Sequence, residues 1–381
     1  MSDGDGSLSN AVIVISDFVA DHTPFPLGSG VGTALASTPE VAGGYLERLP
    51  LAAVRAGLAD RAEIWSHHRH GAEIGTLEAG DGLTRRSFPV VSDAPFHSEA
   101  MIAFVRRHGA PKMLCVWGFG VSEAVLEACA QSVIVYNSID VPALRVPPEV
   151  SRHFDLVLTG AQWQSDAVAE RHPEMRTQIL PIGPDFASPE TFFPIESAQK
   201  RYDIVYVAAA QAYKRHDVLF DALERSPVPL RALCVMGYGE DGERLREDAA
   251  RRGLDVDFVG PPGVPHAQVN RLINQARVGV VCGVDDGAPA ILTEYMLAGL
   301  PVVANAQLRC GLHYIEPQTG IAAPAERFDL AILEALRRTD FRPRETVIER
   351  WAWPHSISKF AGLIASLDAT RADRRSVPEF A

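Results

Sequence analysis

The chain is poor in cysteine. Five thiols, at Cys115, Cys129, Cys234, Cys282 and Cys310, are scattered over 381 residues with no C-x-x-C pair. That spacing supports neither a disulfide framework nor a zinc site. Their mostly apolar neighbours predict small buried hydrophobes instead. Basic charge is also short, with 36 Lys and Arg against 48 Asp and Glu and a net charge of −12. A large nucleic-acid footprint needs a basic face, so nucleic acid is not the expected partner. A local basic patch touching a membrane or an anionic ligand stays open. No apolar run is long enough to span a bilayer. The opening MSDGDGSLSN is polar and acidic and lacks the basic and apolar regions of a signal peptide. The expected location is the cytoplasm, with room for peripheral membrane contact.

What is present is apolar residue, 47% of the chain, enough for two sizeable cores. Short β-branched runs alternate with helical spacings. NAVIVISDF reads as a buried parallel strand, YLERLPLAAVRAGLAD as a helix and RAEIWSHH as a strand. SEAMIAFVRRHG, KMLCVWGF, VSEAVLEACA, SVIVYNS, FDLVLTG and TQILPIG continue the alternation. It breaks over 181–201, where Pro and polar residues cluster, and resumes at YDIVYVAAA. The expected fold class is α/β: two tandem Rossmann-like, doubly wound parallel-sheet domains facing a central cleft. The expected division is 1–183, a linker over 184–200, a second domain over 201–350, a helix over 351–368 and a loose tail over 369–381. Ligands of such sheets bind beyond the C-terminal strand edges.

One stretch carries chemistry: DDGAPAILTEYMLAGLPVVAN, residues 285–305. RVGVVCGV before it reads as a strand, which puts Asp285, Asp286 and Gly287 at its C-terminal end. Pro289 suits the first turn of a following helix, where its missing N–H costs nothing. The backbone of Gly287, Ala288, Pro289 and Ala290 then offers a helix N-terminus to phosphate. Glu294 lies within the helix among Ile291, Leu292, Tyr295 and Met296, placed to accept hydrogen bonds from a diol such as a ribose. Asp286 is placed to do the same for a sugar hydroxyl. An N-cap acid followed by a solvated glutamate is the plainer alternative, disfavoured by those apolar neighbours.

This stretch resembles the donor-site signature of the family 4 retaining glycosyltransferases of the GT-B fold: an acid and Gly, then Pro, then Glu, then A-x-G-x-P-V-V-A. VAGGYLERL (41–49) resembles the family's N-terminal Gly-Gly loop. ILPIGPDFASPETFFP (179–194), LCVMGYGEDGERL and ERWAWPHSISKFAGLI resemble its interdomain segment, its second-domain Gly turn and its C-terminal aromatic motif with the helix that crosses back. The resemblance implies an acceptor-side first domain and a nucleotide-sugar second domain. It implies retaining transfer from a nucleotide-diphosphate sugar, as substrate rather than cofactor, with no required metal. The acceptor would be a saccharide, a lipid-linked glycan or a small molecule. Carried over by position, Asp286 contacts the donor sugar, Glu294 the ribose, and Gly43 and Gly44 the sugar or phosphate. Lys214, in YVAAAQAYKRHDVLF, matches the lysine of an Arg–Lys pair that neutralises the diphosphate. A fixed cation there lowers the barrier for a leaving diphosphate.

The chain departs from that pattern in three places. The first acid is Asp rather than the commoner Glu. Ala209 stands where the Arg is expected, so one cation is missing unless Arg215 or His216 replaces it. The His that the family often carries near the reacting sugar is absent from CVWGFG and YNSID, which offer Trp117, Asn137, Ser138 and Asp140. Asp140 is a candidate for orienting an acceptor hydroxyl and equally a cap for the next turn. These losses keep a second class open, a catalytically weak or inactive nucleotide-sugar-binding subunit; a third and weaker reading, a nucleotide-sugar epimerase on the same fold, fits the crossing C-terminal helix and the Asp286–Glu294 segment less well. His67, His68 and His70 in SHHRH read as surface loop, since neighbours on a strand point to opposite faces. Gly28, Gly30 and Gly32 lie in a long loop unlike a dinucleotide fingerprint, which needs its glycines to open a helix.

Overall fold

The computed structural model describes residues 6–24 and 43–376, with side chains to Leu367. Gly28, Gly30 and Gly32 lie outside the described residues. The chain divides into two units, Met1–Ile182 with Ser356–Ala381, and Gly183–His355.

In the first unit, β1 (Ala11–His22), β2 (Arg61–His70), β3 (Gly75–Glu78), β4 (Leu83–Pro89), β5 (Met113–Trp117), β6 (Val133–Asn137), β7 (Leu156–Thr159) and β8 (Arg176–Ile179) form one sheet. Its order is β3-β4-β2-β1-β5-β6-β7-β8. All pairs are parallel except β3 with β4. Every residue of β5, β6 and β7 is buried, as expected of strands covered on both faces. Trp65, Phe88 and Phe104 form an aromatic cluster at the core, with centroids 4.9 to 5.9 Å apart. Helix Glu99–His108 is opened by Ser98, whose Oγ accepts from the Met101 amide at 3.2 Å.

The second unit holds β9 (Tyr202–Val207), β10 (Ala232–Val235), β11 (Val256–Val259), β12 (Ala276–Val281), β13 (Val302–Asn305) and β14 (Gly320–Ala323), in the order β11-β10-β9-β12-β13-β14 and all parallel. Helix Ile291–Leu297 packs directly on β12. A Cβ at Gly279 would stand 2.4 Å from the Tyr295 ring, so only glycine admits it. The Tyr295 hydroxyl accepts from the Val207 amide at 2.6 Å, tying that helix to the end of β9. Both sheets therefore match the doubly wound expectation. Each has a switch point, between β1 and β5 in one and between β9 and β12 in the other, where ligands of such sheets bind.

The structure differs from the sequence expectation at several elements. β4 is hidden in the sequence by LTRRSFP, two arginines in a strand. Arg86 is buried there because the carboxylate of Glu63, on β2, receives it at 2.8 Å, and Trp65 Nε1 donates to the same group at 2.7 Å. The SHHRH reading as surface loop is corrected for His67 and His68. After an irregularity between Ile15 and Val19, β1 resumes beside β2 and carries it on to His70, which buries both rings. Burial holds His67 down to about 4, so it is neutral at pH 7. Within 184–200, Asp185, Phe186, Ala187 and Phe192 are buried. Helix Trp353–Ser376 runs on into the stretch read as a loose tail. All five cysteines are free and buried, as expected. Burial pushes the thiols of Cys115, Cys129 and Cys234 up to about 12.

Candidate functional site

At the switch point of the second unit, the chain leaves β9 through Ala208 to Gln211, makes a tight turn over Ala212–Lys214 and enters helix His216–Arg225. Beside it the chain leaves β12 through Cys282, Gly283, Val284, Asp285 and Asp286. The two loops touch at Gly283, where a Cβ would stand 3.0 Å from the Tyr213 carbonyl oxygen. This approach brings the Lys214 ammonium to the Asp286 carboxylate, and Nζ donates to Oδ2. Both side chains are largely buried, at 18% and 14% exposure. The other oxygen, Oδ1, accepts from the Ala288 amide at 3.3 Å. One carboxylate thus holds the lysine and shapes the turn into the next helix. Lys214 also lies 4.8 Å above the Tyr213 ring.

That helix begins two residues later than its sequence suggests. Ala290 is the N-cap and Ile291 the first helical residue, so Pro289 stands just outside. Its carbonyl still accepts from the Leu292 amide at 3.2 Å, which makes Pro289 the hinge of the first turn. Glu294 is 7% exposed, between the fully buried Leu292, Tyr295 and Met296. Lys214, Asp286, Ala288, Pro289, Ala290 and Glu294 therefore belong to one strand edge, with Gly287 between two of them.

Neither substitute for the missing arginine has the expected form. The Arg215 guanidinium turns to Asp217, with contacts of 2.8 to 3.1 Å. Its backbone is left-handed, at φ 53. His216 is 3% exposed, and burial holds its imidazole down to about 4, so it is neutral at pH 7. A further cation at this edge, outside the sequence motif, is Arg309, in the loop after β13. Its amide donates to the Val284 carbonyl at 3.0 Å, and its guanidinium lies 3.9 Å from Asp285. Gly311, two residues on, packs on Pro289 and Leu292. The arginine in NAQLRCG, just past a strand end, was the available signal.

The remaining candidates belong to the first unit. Gly43 is left-handed, at φ 79, and Gly44 is the N-cap of helix Tyr45–Arg55. Their amides donate to Glu47 Oε2, at 2.5 and 3.0 Å, and Arg85 pairs with the same carboxylate. In this state those amides serve the helix start. Asp140, beyond the end of β6, pairs with Arg145 at 2.8 Å, and that guanidinium lies 3.8 Å above the Phe119 ring.

Asp17, in the irregular part of β1, also went unrecognised. It neighbours Gly118, and burial, then the Asp140 charge, raise its carboxyl above the usual range. Asn137 Nδ2 and Ser138 Oγ, at the end of β6, are buried without a hydrogen-bond partner among the described residues. The signal was an acid inside an otherwise apolar strand run.

Among the described residues, one set of possible metal-ligand atoms lies within 4.8 Å of one another: Glu123, Glu127 and His153. Glu123 is already engaged by Arg152 and by His153 at 2.9 Å, and these bonds, His153 first, hold its carboxyl below the usual carboxylate range.

Residues 187–339 match the family model described as Glycosyl transferases group 1. No curated protein matches the chain. Among solved structures, a sucrose-phosphate synthase from Thermosynechococcus elongatus is similar at 18% identity and a TM-score of 0.67, over 95% of this chain and all 100% of that one. Anabaena HepE, in complex with UDP and glucose, is similar at 14% identity and 0.64, over 93% and 99%. The apo form of WaaB, a lipopolysaccharide outer core galactosyltransferase, is similar at 14% and 0.59, over 93% and 99%. The fold is that of these GT-B glycosyltransferases, as the sequence resemblance implied. Lys214, Asp286, Glu294 and Arg309 all lie within the matched span. No helix among the described residues is long and apolar enough to cross a membrane.

Proposed function

We propose that this chain, a GT-B protein whose second unit carries the glycosyl transferases group 1 match, moves a sugar from a nucleotide-diphosphate donor to a hydroxyl of an acceptor, with retention at the anomeric carbon. The observation that carries this reading is the Lys214–Asp286 pair, set before the buried Glu294 at the β9/β12 switch point. The acceptor class is a saccharide, a lipid-linked glycan or a small hydroxylated molecule. The donor is a substrate, and no cofactor or metal is assigned a role.

Lys214 is already paired, which shapes the chemistry. An incoming diphosphate competes with Asp286 for the ammonium. Once phosphate takes the lysine, the aspartate is released toward the sugar hydroxyls. In the low-dielectric surroundings of this pair, a cation aimed at the leaving group is worth far more than in water. The turn over 287–290 supplies amides to the phosphates, Glu294 accepts from the ribose diol, and Arg309 stands as the second cation. The C1–O bond breaks with its electron pair leaving on the diphosphate. The acceptor oxygen bonds to C1, and its proton passes to the departing phosphate.

HepE was solved with UDP and glucose, and with UDP-glucose, which favours a UDP-sugar as the first donor to try. Screening nucleotide sugars for thermal stabilisation tests the reading. A ligand at about 100 times its Kd adds about 2.7 kcal/mol of stability. Stabilisation by one NDP-sugar and by its free nucleotide is expected, and none from any of them contradicts the assignment. The second reading, a binding subunit without turnover, draws on the paired state of Arg215 and the neutral state of His216. It predicts the same stabilisation with no donor hydrolysis or transfer.

A further inference from the structure

We propose that Asp17 is a saccharide-binding carboxyl of the first unit, occupying the space that a side chain at position 118 would otherwise fill. The inference rests on the glycosyltransferase reading and adds a residue that the reading lacks. Gly118 follows β5 directly with φ +54, and a Cβ on it would lie 2.0 Å from Asp17 Oδ2 and 2.7 Å from its Cγ. The carboxyl thus sits where a side chain from 118 would begin. The resemblance leads one to expect a histidine in CVWGFG, and this chain has Trp117 and Gly118. A carboxyl arriving from β1 replaces an imidazole arriving from β5.

Three further observations give the position a ligand. It lies at the β1/β5 switch point, the place where doubly wound sheets bind. Asn137 Nδ2 and Ser138 Oγ, on residues 0% and 1% exposed, stand on the same edge with no hydrogen-bond partner among the described residues. Buried polar groups are nearly always satisfied, so these mark hydrogen-bonding positions that a ligand or its ordered water completes. Finally, Arg145 is held by Asp140 at 2.8 Å and by the Phe119 ring, and its charge offsets part of the effect of burial on Asp17. The Tyr136 hydroxyl donates to the Gly118 carbonyl at 2.7 Å and fixes the turn that presents the carboxyl. A half-buried carboxyl with hydrogen-bonding neighbours suits a polyhydroxylated ring, whose hydroxyls both donate and accept.

The test uses the full chain and the fastest-hydrolysed of UDP-glucose, UDP-galactose, UDP-N-acetylglucosamine and GDP-mannose. Asp17→Ala is expected to lower kcat/KM about 100-fold, the scale of a lost hydrogen bond to a charged group. Stabilisation by UDP or GDP should stay at the wild-type value. The double variant Asp17→Ala with Gly118→His is expected to recover about tenfold, since histidine tolerates the left-handed backbone better than most residues. A purely structural Asp17 would give no such recovery. Asp17→Asn keeps the shape against Gly118, so it folds if the others do not, and it should lose about tenfold. Turnover within about twofold of wild type in both single variants, with nucleotide stabilisation intact, overturns this proposal alone. Absence of nucleotide stabilisation in the wild type overturns the glycosyltransferase reading as well.

Discussion

At the ends of β9 and β12 a lysine meets an aspartate, and the turn beyond them opens a helix. At the ends of β1 and β5 an aspartate meets a glycine, and the nearby cation, Arg145, is taken by a second aspartate. The two places have the same topology, parallel strands diverging at a switch point, and opposite chemistry. The second unit offers positive charge and backbone amides, which suit a diphosphate. The first offers carboxyls and side-chain donors with no partner among the described residues, which suit hydroxyls. A shared fold fixes where a ligand sits, and the few residues just past the strand ends decide what it is.

The strongest way to break this contrast is to remove the cation. Lys214→Ala is expected to lower kcat by about 10²–10³-fold, the scale for losing one preorganised charge at a leaving group. Donor Kd should change far less, as measured by initial rates beside calorimetric binding. Equal losses in both would make Lys214 a binding residue only.

Acid separates the units in another way. His67 in the first and His216 in the second are both held neutral, at about 4 against an ordinary 6.5. The unfolded chain therefore binds more protons than the folded chain between those values, and stability falls as pH drops from 6.5 toward 4. Each histidine accounts for about 3 kcal/mol by pH 4. Urea midpoints measured from pH 7 to 4.5 should drop. His67→Phe should flatten the drop for the first unit and His216→Phe for the second. Midpoints unchanged by either substitution would contradict the burial argument.

A smaller effect sharpens the donor side. Glu294→Gln should weaken the chosen NDP-sugar about 10- to 100-fold, and a 2′-deoxy donor much less, because the buried carboxylate is read as the ribose partner. Equal weakening of both donors would remove that role. The smallest effect is expected at Gly118→Ala. Its left-handed backbone costs about 1–2 kcal/mol for a residue with a Cβ, and the Asp17 carboxyl must move aside. Urea denaturation measures the cost, and a neutral substitution would show that the carboxyl is not confined there.

How much of this the sequence carried depended on how local the signal was. Asp286, the turn and Glu294 lie in one continuous stretch, so their order alone suggests a phosphate turn backed by a diol acceptor. The Lys214–Asp286 pair joins residues 72 positions apart, and no local pattern announces it. The local sequence offers Arg215 and His216 beside Lys214, whereas the fold brings Arg309 across from the next strand. Asp17 went unnoticed because it stands inside an apolar run, and only the contact with Gly118 reveals where its carboxyl goes. β4 was missed because a buried Arg86–Glu63 pair breaks the apolar pattern that marks an interior strand.

In the proposed reaction a donor diphosphate takes Lys214 away from Asp286. A crystal structure of the full chain saturated with its stabilising NDP-sugar tests it most directly. The diphosphate is expected against Lys214 and the amides of 287–290, the ribose on Glu294, and the Lys214–Asp286 contact opened. Nucleotide bound elsewhere, or bound there with that ion pair intact, would contradict it.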